Sequence, residues 1–467
     1  MDLYLIGHDY KYAAEQMLLT LYPAQRPVYP DRPPAGDRAE LALEGPAAVC
    51  RLFQGGAVHE GRAEIRPWRD DRERVRAEQQ AVKLSFYRAA LASGVPKPVW
   101  GALTGVKPGK LMARYLREGK TAADFARDFD VDPDRAELCR TTAQASLAAK
   151  ASLGPGDVGL YVGIPFCPTR CAYCSFISSA VGPNERLVEP YLAALLTEIR
   201  RTGEAVRAAG ERPVALYLGG GTPTTLSGPQ LDTLCAALEE SFDLSALREY
   251  TVEAGRPDTI TREKLAVLRS HGVDRVSVNP QTMSDRVLEA IGRRHTARDV
   301  LDALAQVREA GGLAVNMDLI AGLPGDRPET FRRTVEQVLD LGPENITVHT
   351  LAIKNGSFLA QCREGLPDGA AVGQMVDFAG RALAAAGYEP YYLYRQKYMS
   401  GGFENVGWAR PGTGSLYNIL MMEELCPVLA MGAGGSTKRT GPDGSVSRHV
   451  NPKYPKEYIE RMVNHGF

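Results

Sequence analysis

The chain has 467 residues, which is more than one hydrophobic core usually serves, so two or three domains are expected. Its hydrophobic share of 44% and charged share of 24% are ordinary globular values and argue against global disorder. A formal net charge of -1 gives no sign of the positive field of a nucleic-acid-binding protein. No signal-peptide pattern opens the sequence and no apolar run could span a bilayer, which predicts a cytoplasmic protein without a membrane partner.

Residues 1–153 are predicted to form an N-terminal α+β extension. Short apolar runs between Gly and Pro indicate strands, and amphipathic periodicity indicates helices. The predicted strands are Leu3–Gly7, Glu40–Leu43, Val49–Phe53 and Arg62–Ile65, and the predicted helices are Tyr12–Leu21, Asp71–Ala92 and Arg135–Leu153. Between the last two helices, Trp100–Lys110 is rich in turn formers. The Gly-Pro-Gly segment after Leu153 marks the predicted domain boundary.

From Leu160 onwards, short apolar runs alternate with helical patterns. The runs are Leu160–Phe166, Ala215–Leu218, Tyr250–Val252, Arg275–Val278, Leu313–Ile320 and Ile346–Leu351. The helical patterns are Val188–Thr202, Gln230–Glu240, Arg262–His271, Ala297–Ala310, Glu329–Leu341 and Val372–Ala386. This alternation is typical of a parallel sheet covered by helices. We therefore predict an α/β fold, with a partial (β/α)6 barrel over residues 154–355 and a C-terminal α+β region over 356–467 that faces the substrate.

Polar or glycine residues stand at the end of each apolar run, or within it. In chain order they are Cys167; Gly219, Gly220, Gly221 and Thr222; Glu253; Asn279 and Gln281; Asn316 and Asp318; and His349 and Thr350. The catalytic and ligand-binding residues of parallel α/β proteins lie at the carboxyl ends of the strands. These residues are therefore expected to lie on the rim of one site.

Three cysteines, Cys167, Cys171 and Cys174, are crowded into eight residues directly after the first run. Thiolates suit zinc or iron–sulfur centres, but a structural zinc site would want a fourth Cys or His at short spacing. A [4Fe–4S] cluster normally takes four cysteines, so three would leave one iron open to another ligand. The remaining cysteines, Cys50, Cys139, Cys235, Cys362 and Cys426, are expected to be small buried hydrophobes.

The Cys-x3-Cys-x2-Cys spacing resembles that of the radical S-adenosylmethionine (SAM) superfamily, whose partial (β/α)6 barrel fits the predicted alternation. The resemblance implies a [4Fe–4S] cluster and SAM as cofactors. SAM would chelate the open iron and be cleaved reductively to a deoxyadenosyl radical, so no side chain need act as the catalytic base.

Three longer segments, Tyr161–Cys167, Leu218–Thr224 and Met317–Gly325, resemble oxygen-independent coproporphyrinogen III oxidase (coproporphyrinogen dehydrogenase). Gly7–Tyr12 and Tyr394–Met399 are similar to the HemZ-like subgroup. The resemblance implies oxidative decarboxylation of coproporphyrinogen III to protoporphyrinogen IX in haem biosynthesis. It also implies an external one-electron donor and an electron acceptor.

The same resemblance implies roles for individual residues. Tyr161 and Tyr173 would lie beside the first SAM, the Gly220-Gly221-Thr222 turn would meet its methionine end, and Glu253 would bond it. Gln281, Arg293 and Asp318 would line a possible second SAM, and Thr350 would make another cofactor contact. The C-terminal aromatic and basic residues either contact a tetracarboxylate or form a core strand; they are Tyr388, Tyr391, Tyr392, Tyr394, Arg395, Lys397, Tyr398, Phe403, Trp408 and Arg410.

Two other functions remain open on the sequence. A haem-binding chaperone of the same family would keep the cluster without turning over coproporphyrinogen. A radical methyltransferase acting on haem would transfer a methyl group and open the ring rather than release carbon dioxide. The oligomeric state is not indicated by the sequence.

Overall fold

The computed structural model describes residues 1–175, 179–354, 356–362, 364–396, 400–441 and 445–464. Within them the chain forms two compact units. The first contains Met1–Arg140 with Arg395 and Gln396, and the second contains Thr141–Tyr394 and the described residues from 400 onwards. The division into 1–153, 154–355 and 356–467 stays a prediction.

The first unit is a four-stranded sheet with helices. Its strands are β1 (Asp2–Ile6), β2 (Arg38–Glu44), β3 (Ala47–Gln54) and β4 (Ala57–Glu64), and its helices are α1 (Lys11–Leu21), α2 (Asp71–Ala92), α3 (Pro108–Arg117), α4 (Ala122–Phe129) and the start of α5 (Pro133–Ala151). β1 pairs with β2 in parallel, and the other pairs are antiparallel. A Cβ at Gly61 would lie 2.1 Å from the Ser85 carbonyl oxygen, so glycine lets α2 pack closely on β4.

The predicted strands and helices of the extension are confirmed, but α3 and α4 were not predicted. α3 begins with Pro108 in its first turn, inside the segment taken as turns. α4 begins at a capping box between Thr121 and Asp124, a Thr-x-x-Asp pattern that the sequence carries. Both helices are short, so their hydrophobic periodicity spans too few turns to stand out.

The second unit contains the remaining elements. Its strands are β5 (Asp157–Ile164), β6 (Phe166–Cys167), β7 (Ser179–Ala180), β8 (Arg212–Gly220), β9 (Tyr250–Val252), β10 (Arg275–Ser277), β11 (Ala314–Ala321), β12 (Asn345–Thr350), β13 (Glu389–Tyr394), β14 (Asn405–Ala409), β15 (Val428–Met431), β16 (Ser436–Thr440) and β17 (Val446–Val450). Its helices, after α5, are α6 (Val181–Asn184), α7 (Val188–Ala208), α8 (Gly228–Ser241), α9 (Arg262–Ser270), α10 (Asp285–Ala290), α11 (Ala297–Ala310), α12 (Pro328–Leu341), α13 (Gly369–Ala385), α14 (Leu416–Glu423) and α15 (Pro455–Asn464).

Eleven strands of the described chain form the main sheet. The six predicted strands appear as β5, β8, β9, β10, β11 and β12, which lie side by side in chain order and are all parallel. Helices connect them, which confirms the partial (β/α)6 barrel. Two C-terminal strands extend this sheet: β15 pairs in parallel with β5, and β14 pairs antiparallel with β12. The C-terminal α+β region therefore continues the barrel sheet.

Local signals explain why the barrel helices begin and end where they do. Capping boxes start α8 at Ser227 and α11 at Thr296. Gly311 follows α11 at φ 66° and Gly342 follows α12 at φ 61°, a left-handed backbone that favours glycine. α11 occupies the predicted range, and the other predicted barrel helices are confirmed with small shifts at their ends. None of the described helices is long and apolar enough to cross a bilayer.

Alternate residues along the barrel strands face different surroundings. Leu216 and Leu218 of β8 are fully buried in the apolar core. Tyr217, between them, belongs to a polar set that surrounds a very small cavity of about 10 Å³; this set also includes Thr251, Ser277, Asn316 and Asn345. A cavity of this size holds about one water molecule. The barrel interior is therefore packed with polar side chains below the predicted site.

Candidate cofactor site at the carboxyl ends of the barrel strands

The glycine-rich turn after β8 lies directly against the first cysteine. The Gly221 amide donates to the Ile164 carbonyl oxygen at 2.7 Å, and the Thr222 amide donates to that of Phe166 at 2.7 Å. The Thr222 hydroxyl, which is buried, lies 3.4 Å from the Cys167 sulfur. These contacts bring the predicted turn and Cys167 together.

Arg293 ties the other end of the cysteine loop to the barrel. Its guanidinium donates to the Asn279 carbonyl oxygen at 2.6 Å and to the Tyr173 hydroxyl at 3.3 Å. Burial alone would lower the pKa of this guanidinium, but Tyr173 and the Cys171 thiol raise it above its ordinary value. Arg293 is thus a buried, permanent cation beside the second cysteine.

The three loop cysteines are partly exposed. In the described part of the chain, no three His, Cys, Asp or Glu side chains converge on a point that could hold a metal ion. The donor chemistry nevertheless fits an iron–sulfur cluster, since soft thiols stand together on a loop fixed at both ends by hydrogen bonds. Cys50, Cys139, Cys235 and Cys426 are buried as predicted, whereas Cys362 is partly exposed, so that part of the prediction is wrong.

A tyrosine stack leads from β5 to Glu253. Tyr161 and Tyr217 are register partners on β5 and β8, and their rings stack at 6.3 Å. The Tyr417 ring stacks on Tyr217 at 4.5 Å. The Tyr217 hydroxyl donates to Glu253 Oε1 at 2.6 Å. The sequence did not indicate Tyr217 or Tyr417 as site residues, because the register that places Tyr217 beside Tyr161 is a tertiary property.

The Glu253 carboxyl has a pKa well above the ordinary value of a glutamate. Burial raises its pKa to about 7, although Tyr217 and the Gly220 amide donate hydrogen bonds that lower it; the negative charge of Asp318 raises it further. At neutral pH the folded protein therefore contains comparable amounts of the protonated and ionised side chain.

Asp318 is paired with His349 of the neighbouring strand. His349 Nε2 lies 3.7 Å from Asp318 Oδ2, and the Asn316 amide donates to Asp318 Oδ1 at 2.8 Å. Burial alone would raise the pKa of Asp318, but the hydrogen bonds and the imidazole hold it below its ordinary value. The Tyr394 hydroxyl lies 3.5 Å from His349 Nδ1. Asp318 is therefore an ionised carboxylate with defined partners.

Gln281 adopts a backbone conformation that non-glycine residues seldom take. Its φ is 67°, and its amide donates to the Asp318 carbonyl oxygen at 2.9 Å while its carbonyl accepts from Ile320 at 3.0 Å. These bonds hold the strained residue against β11. Its side-chain Oε1 is buried and has no hydrogen-bond partner among the described residues. Strain and an unpaired buried oxygen together are typical of a binding site.

Thr350 forms hydrogen bonds with the chain at the start of β14. Its hydroxyl donates to the Glu404 carbonyl oxygen at 2.8 Å, and its amide donates to Asn405 Oδ1 at 2.8 Å. Thr350 thus fastens β12 to the start of β14, and its role as a cofactor contact stays a prediction.

The C-terminal aromatic residues mostly form core. Tyr388, Tyr391, Tyr392, Phe403 and Trp408 are buried. The Tyr388 hydroxyl, for example, donates to the Pro343 carbonyl oxygen at 2.6 Å. The arrangement favours the core-strand alternative for this set. Arg395 belongs to the first unit, and Lys397 and Tyr398 lie outside the described residues.

Comparison with known proteins finds a matching family model and similar chains. Residues 161–338 match the model of the radical SAM superfamily. The chain is 39% identical, over 78% of its length and 75% of the relative's, to the oxygen-independent coproporphyrinogen-III oxidase-like protein HemZ of Bacillus subtilis. The chain belongs to the HemZ-like radical SAM coproporphyrinogen oxidase family.

Other similar proteins include both a haem chaperone and a coproporphyrinogen III oxidase. The haem chaperone HemW of Escherichia coli is 28% identical over 65% of this chain and 76% of its own. The solved structure of E. coli coproporphyrinogen III oxidase HemN, described as a radical SAM enzyme, matches with a TM-score of 0.55 and 26% identity over 69% of this chain and 73% of that one. Radical SAM proteins use a [4Fe–4S] cluster and SAM, so these are the cofactors of the HemZ-like family.

Substitution Glu253→Gln is expected to raise thermal stability, increasingly so as the pH rises. The Glu253 carboxyl keeps its proton to about pH 7 in the folded protein but ionises near its ordinary value in the unfolded chain. The free energy of unfolding of the wild type therefore falls as pH rises between these values. Each pKa unit is worth about 1.4 kcal/mol of stability. Water reaches part of the Glu253 side chain and weakens the effect, so at pH 8 we expect the variant to be more stable by about 2 kcal/mol.

Thermal unfolding followed by circular dichroism from acid to alkaline pH tests this expectation. Glu336→Gln, an exposed position in α12, serves as the matched control and should show no such trend. A Glu253→Gln effect of equal size at every pH would contradict the assignment of a proton-holding carboxyl.

Proposed function

We propose that the protein catalyses, in the cytoplasm, the oxidative decarboxylation of coproporphyrinogen III to protoporphyrinogen IX. The observation that carries the proposal is the contact network around Cys167, Glu253 and Asp318. These residues lie at the carboxyl ends of the barrel strands, and the resemblance to coproporphyrinogen oxidase implies that they would hold the cofactors. The likeness to HemZ and to the HemN structure supports the same choice.

The reaction balances only with an external electron acceptor. Each of two propionate side chains loses a hydrogen atom from its β-carbon, one further electron and carbon dioxide, and a vinyl group remains. The cluster and SAM, when bound, supply the radical that removes the hydrogen atom. One electron must reach the cluster from a donor for each SAM cleaved, so a one-electron donor is the second required partner.

Residues of the chain would bind and orient the cluster and SAM. Cys167, Cys171 and Cys174 would ligate the cluster. The Gly220–Thr222 turn packs closely on the cysteine strand, because a Cβ at Gly221 would lie 2.4 Å from the Phe166 carbonyl oxygen, and we propose that it meets the methionine end of SAM.

Two carboxyl groups of different character would then orient SAM. Asp318 is ionised and can accept hydrogen bonds or neutralise a cation, whereas Glu253 can be charged or neutral near pH 7. The Oε1 of Gln281, which has no partner among the described residues, offers a further acceptor. Arg293 would contribute a fixed positive charge next to the cysteine loop. No side chain is required to remove a proton from the substrate.

A haem chaperone is the second candidate, and a specific observation favours it. HemW, a haem chaperone, matches over 76% of its length. A chaperone would bind haem stably, retain the cluster and release no carbon dioxide from coproporphyrinogen.

An anaerobic turnover assay distinguishes the two functions. The reconstituted protein is incubated with coproporphyrinogen III, SAM, a reductant and each of several electron acceptors, and the tetrapyrroles are followed by mass spectrometry. We expect two successive losses of carbon dioxide with two hydrogens, both dependent on SAM. Stable haem binding without decarboxylation under any acceptor would refute the oxidase and support the chaperone.

A further inference from the structure

Arg256 is a buried arginine that contacts the cysteine loop between its first two thiols. It stands in the segment that follows β9, and its side chain is only 3% exposed. Its Nη1 donates to the Thr169 hydroxyl at 3.0 Å and to the Thr169 carbonyl oxygen at 3.4 Å. Thr169 is two residues from Cys167 and two from Cys171. Two residues of chain span at most about 7 Å, so the guanidinium lies close to both cysteines.

The other edge of the same guanidinium is held by a carboxylate. Arg256 Nε donates to Asp258 Oδ1 at 3.1 Å, and Nη2 donates to Asp258 Oδ2 at 3.4 Å. The Asp258 side chain is 35% exposed, so water reaches the carboxylate but hardly reaches the guanidinium. A guanidinium stays protonated in proteins. Arg256 therefore presents a permanent cation to the cysteine loop in a fixed orientation.

A second buried guanidinium, that of Arg293, contacts the same loop at Tyr173. Besides the Tyr173 hydroxyl, it donates to the carbonyl oxygen of Gly255, the chain neighbour of Arg256, at 3.4 Å. The buried His295 lies near both cations. Burial, together with the positive charges of Arg293 and Arg256, lowers the pKa of the His295 imidazole to about 4. At neutral pH the buried positive charge beside the loop is therefore that of the two guanidiniums.

We infer that Arg256 holds the cysteine loop in place and makes a cluster bound there easier to reduce. The inference rests on the cluster assignment of the proposed function, but not on its substrate. Three thiolates give a bound cluster negative charge, and the incoming electron adds more. A fixed cation in poorly hydrated surroundings stabilises the more negative, reduced form. Arg256 is a positioning residue, since it acts on the cluster through Thr169 and through its charge.

A purely structural role and an electrostatic role of Arg256 lead to different results. If Arg256 only kept the segment after β9 in shape, loss of Arg256 and loss of its partner Asp258 would loosen the same segment and change the reduction potential in the same direction. If its charge acts on the cluster, removal of the cation and removal of the anion must shift the potential in opposite directions. The Asp258 effect should be the smaller one, because this carboxylate is more exposed and lies on the edge of the guanidinium opposite the loop contact.

A redox titration of the reconstituted protein, followed by electron paramagnetic resonance without SAM or porphyrinogen, measures the potential directly. One electron passes from a dithionite-reduced mediator to the oxidised cluster, and no bond or proton changes place. The variants are Arg256→Gln, Arg256→Lys, Asp258→Asn and Thr169→Val. Arg275→Gln is the matched control, because Arg275 is also a buried arginine but stands at the amino end of β10. Iron content and thermal unfolding are recorded for each protein.

We expect Arg256→Gln to lower the ratio of reduced to oxidised cluster about tenfold at a fixed potential, which is about 59 mV for a one-electron couple. Asp258→Asn should raise this ratio about threefold. Arg256→Lys keeps the charge and Thr169→Val keeps the guanidinium, so both should stay within about twofold of the wild type. Arg275→Gln should leave the ratio unchanged.

A potential that falls in both Arg256→Gln and Asp258→Asn, or moves in neither, would overturn the inference. So would an equal shift in Arg275→Gln. Asp258 is partly exposed, so its variant should fold even if Arg256→Gln loses the cluster, and the direction of its shift then decides. A wild-type protein that binds no cluster would overturn the cluster assignment and this inference together. Because porphyrinogen is absent, a failure of decarboxylation would count only against the proposed substrate.

Discussion

Replacement of Cys171 by Ala should reduce SAM cleavage to background. Its thiol would be one of three ligands on a loop where no fourth Cys or His stands nearby in sequence, so two thiolates would have to hold the cluster alone. The substitution is small, and Cys171 is partly exposed, so little packing is lost. The folded chain should therefore remain while cluster content and cleavage disappear. Iron and sulfide content after anaerobic reconstitution and the yield of 5′-deoxyadenosine measure the two losses.

Cys362→Ala is the matched control, because Cys362 is also partly exposed but stands outside the Cys-x3-Cys-x2-Cys triplet. It should retain both the cluster and SAM cleavage. Cleavage by Cys171→Ala at the wild-type rate would refute the cysteine assignment, whatever the substrate turns out to be.

Substitution Gly221→Ala should disrupt the site through the backbone. The added Cβ would lie 2.4 Å from the Phe166 carbonyl oxygen and 3.0 Å from that of Ile164. These oxygens accept the amides of Thr222 and Gly221, so relief of the clash must separate the turn from the cysteine strand. We expect a loss of about 2 kcal/mol in stability, as for other overpacked sites, and at least tenfold weaker SAM binding.

Chemical unfolding and calorimetric titration with SAM measure the two effects. Gly105→Ala is the control, because a Cβ there meets nothing within 4 Å and the backbone needs no positive φ. It should be neutral or slightly stabilising. A Gly221→Ala protein with normal stability and SAM affinity would show that the turn lies farther from the cofactor than we propose.

Elements with strong local signals could be predicted from the sequence. α11 matches its predicted range because Thr296 and Asp299 form a capping box and Gly311 ends the helix. The six barrel strands were recognisable since buried parallel strands are short, nearly continuous apolar runs. Residues at their carboxyl ends could then be assigned to one rim by topology alone.

Other features depend on tertiary pairing that a single sequence does not display. The partnership of Tyr217 with Glu253 follows from the register of β8 beside β5 and β9. Val428–Met431 is a four-residue apolar segment, and only the assembled sheet shows that it is a parallel neighbour of β5. Thr350 matched a family position, yet its hydroxyl is engaged by the Glu404 carbonyl oxygen.

The position of β15 has a consequence for the order in which the protein can assemble during synthesis. β5 and the cysteine loop leave the ribosome long before β15, the strand that covers one edge of β5. The buried Glu198 of α7 likewise waits for its partners, the Gly432 amide and the Asn451 side chain. An unpaired β5 edge is open to wrong pairing in a nascent chain. The barrel wall next to the cysteines is therefore completed only after the segment from β15 to Asn451 has been made.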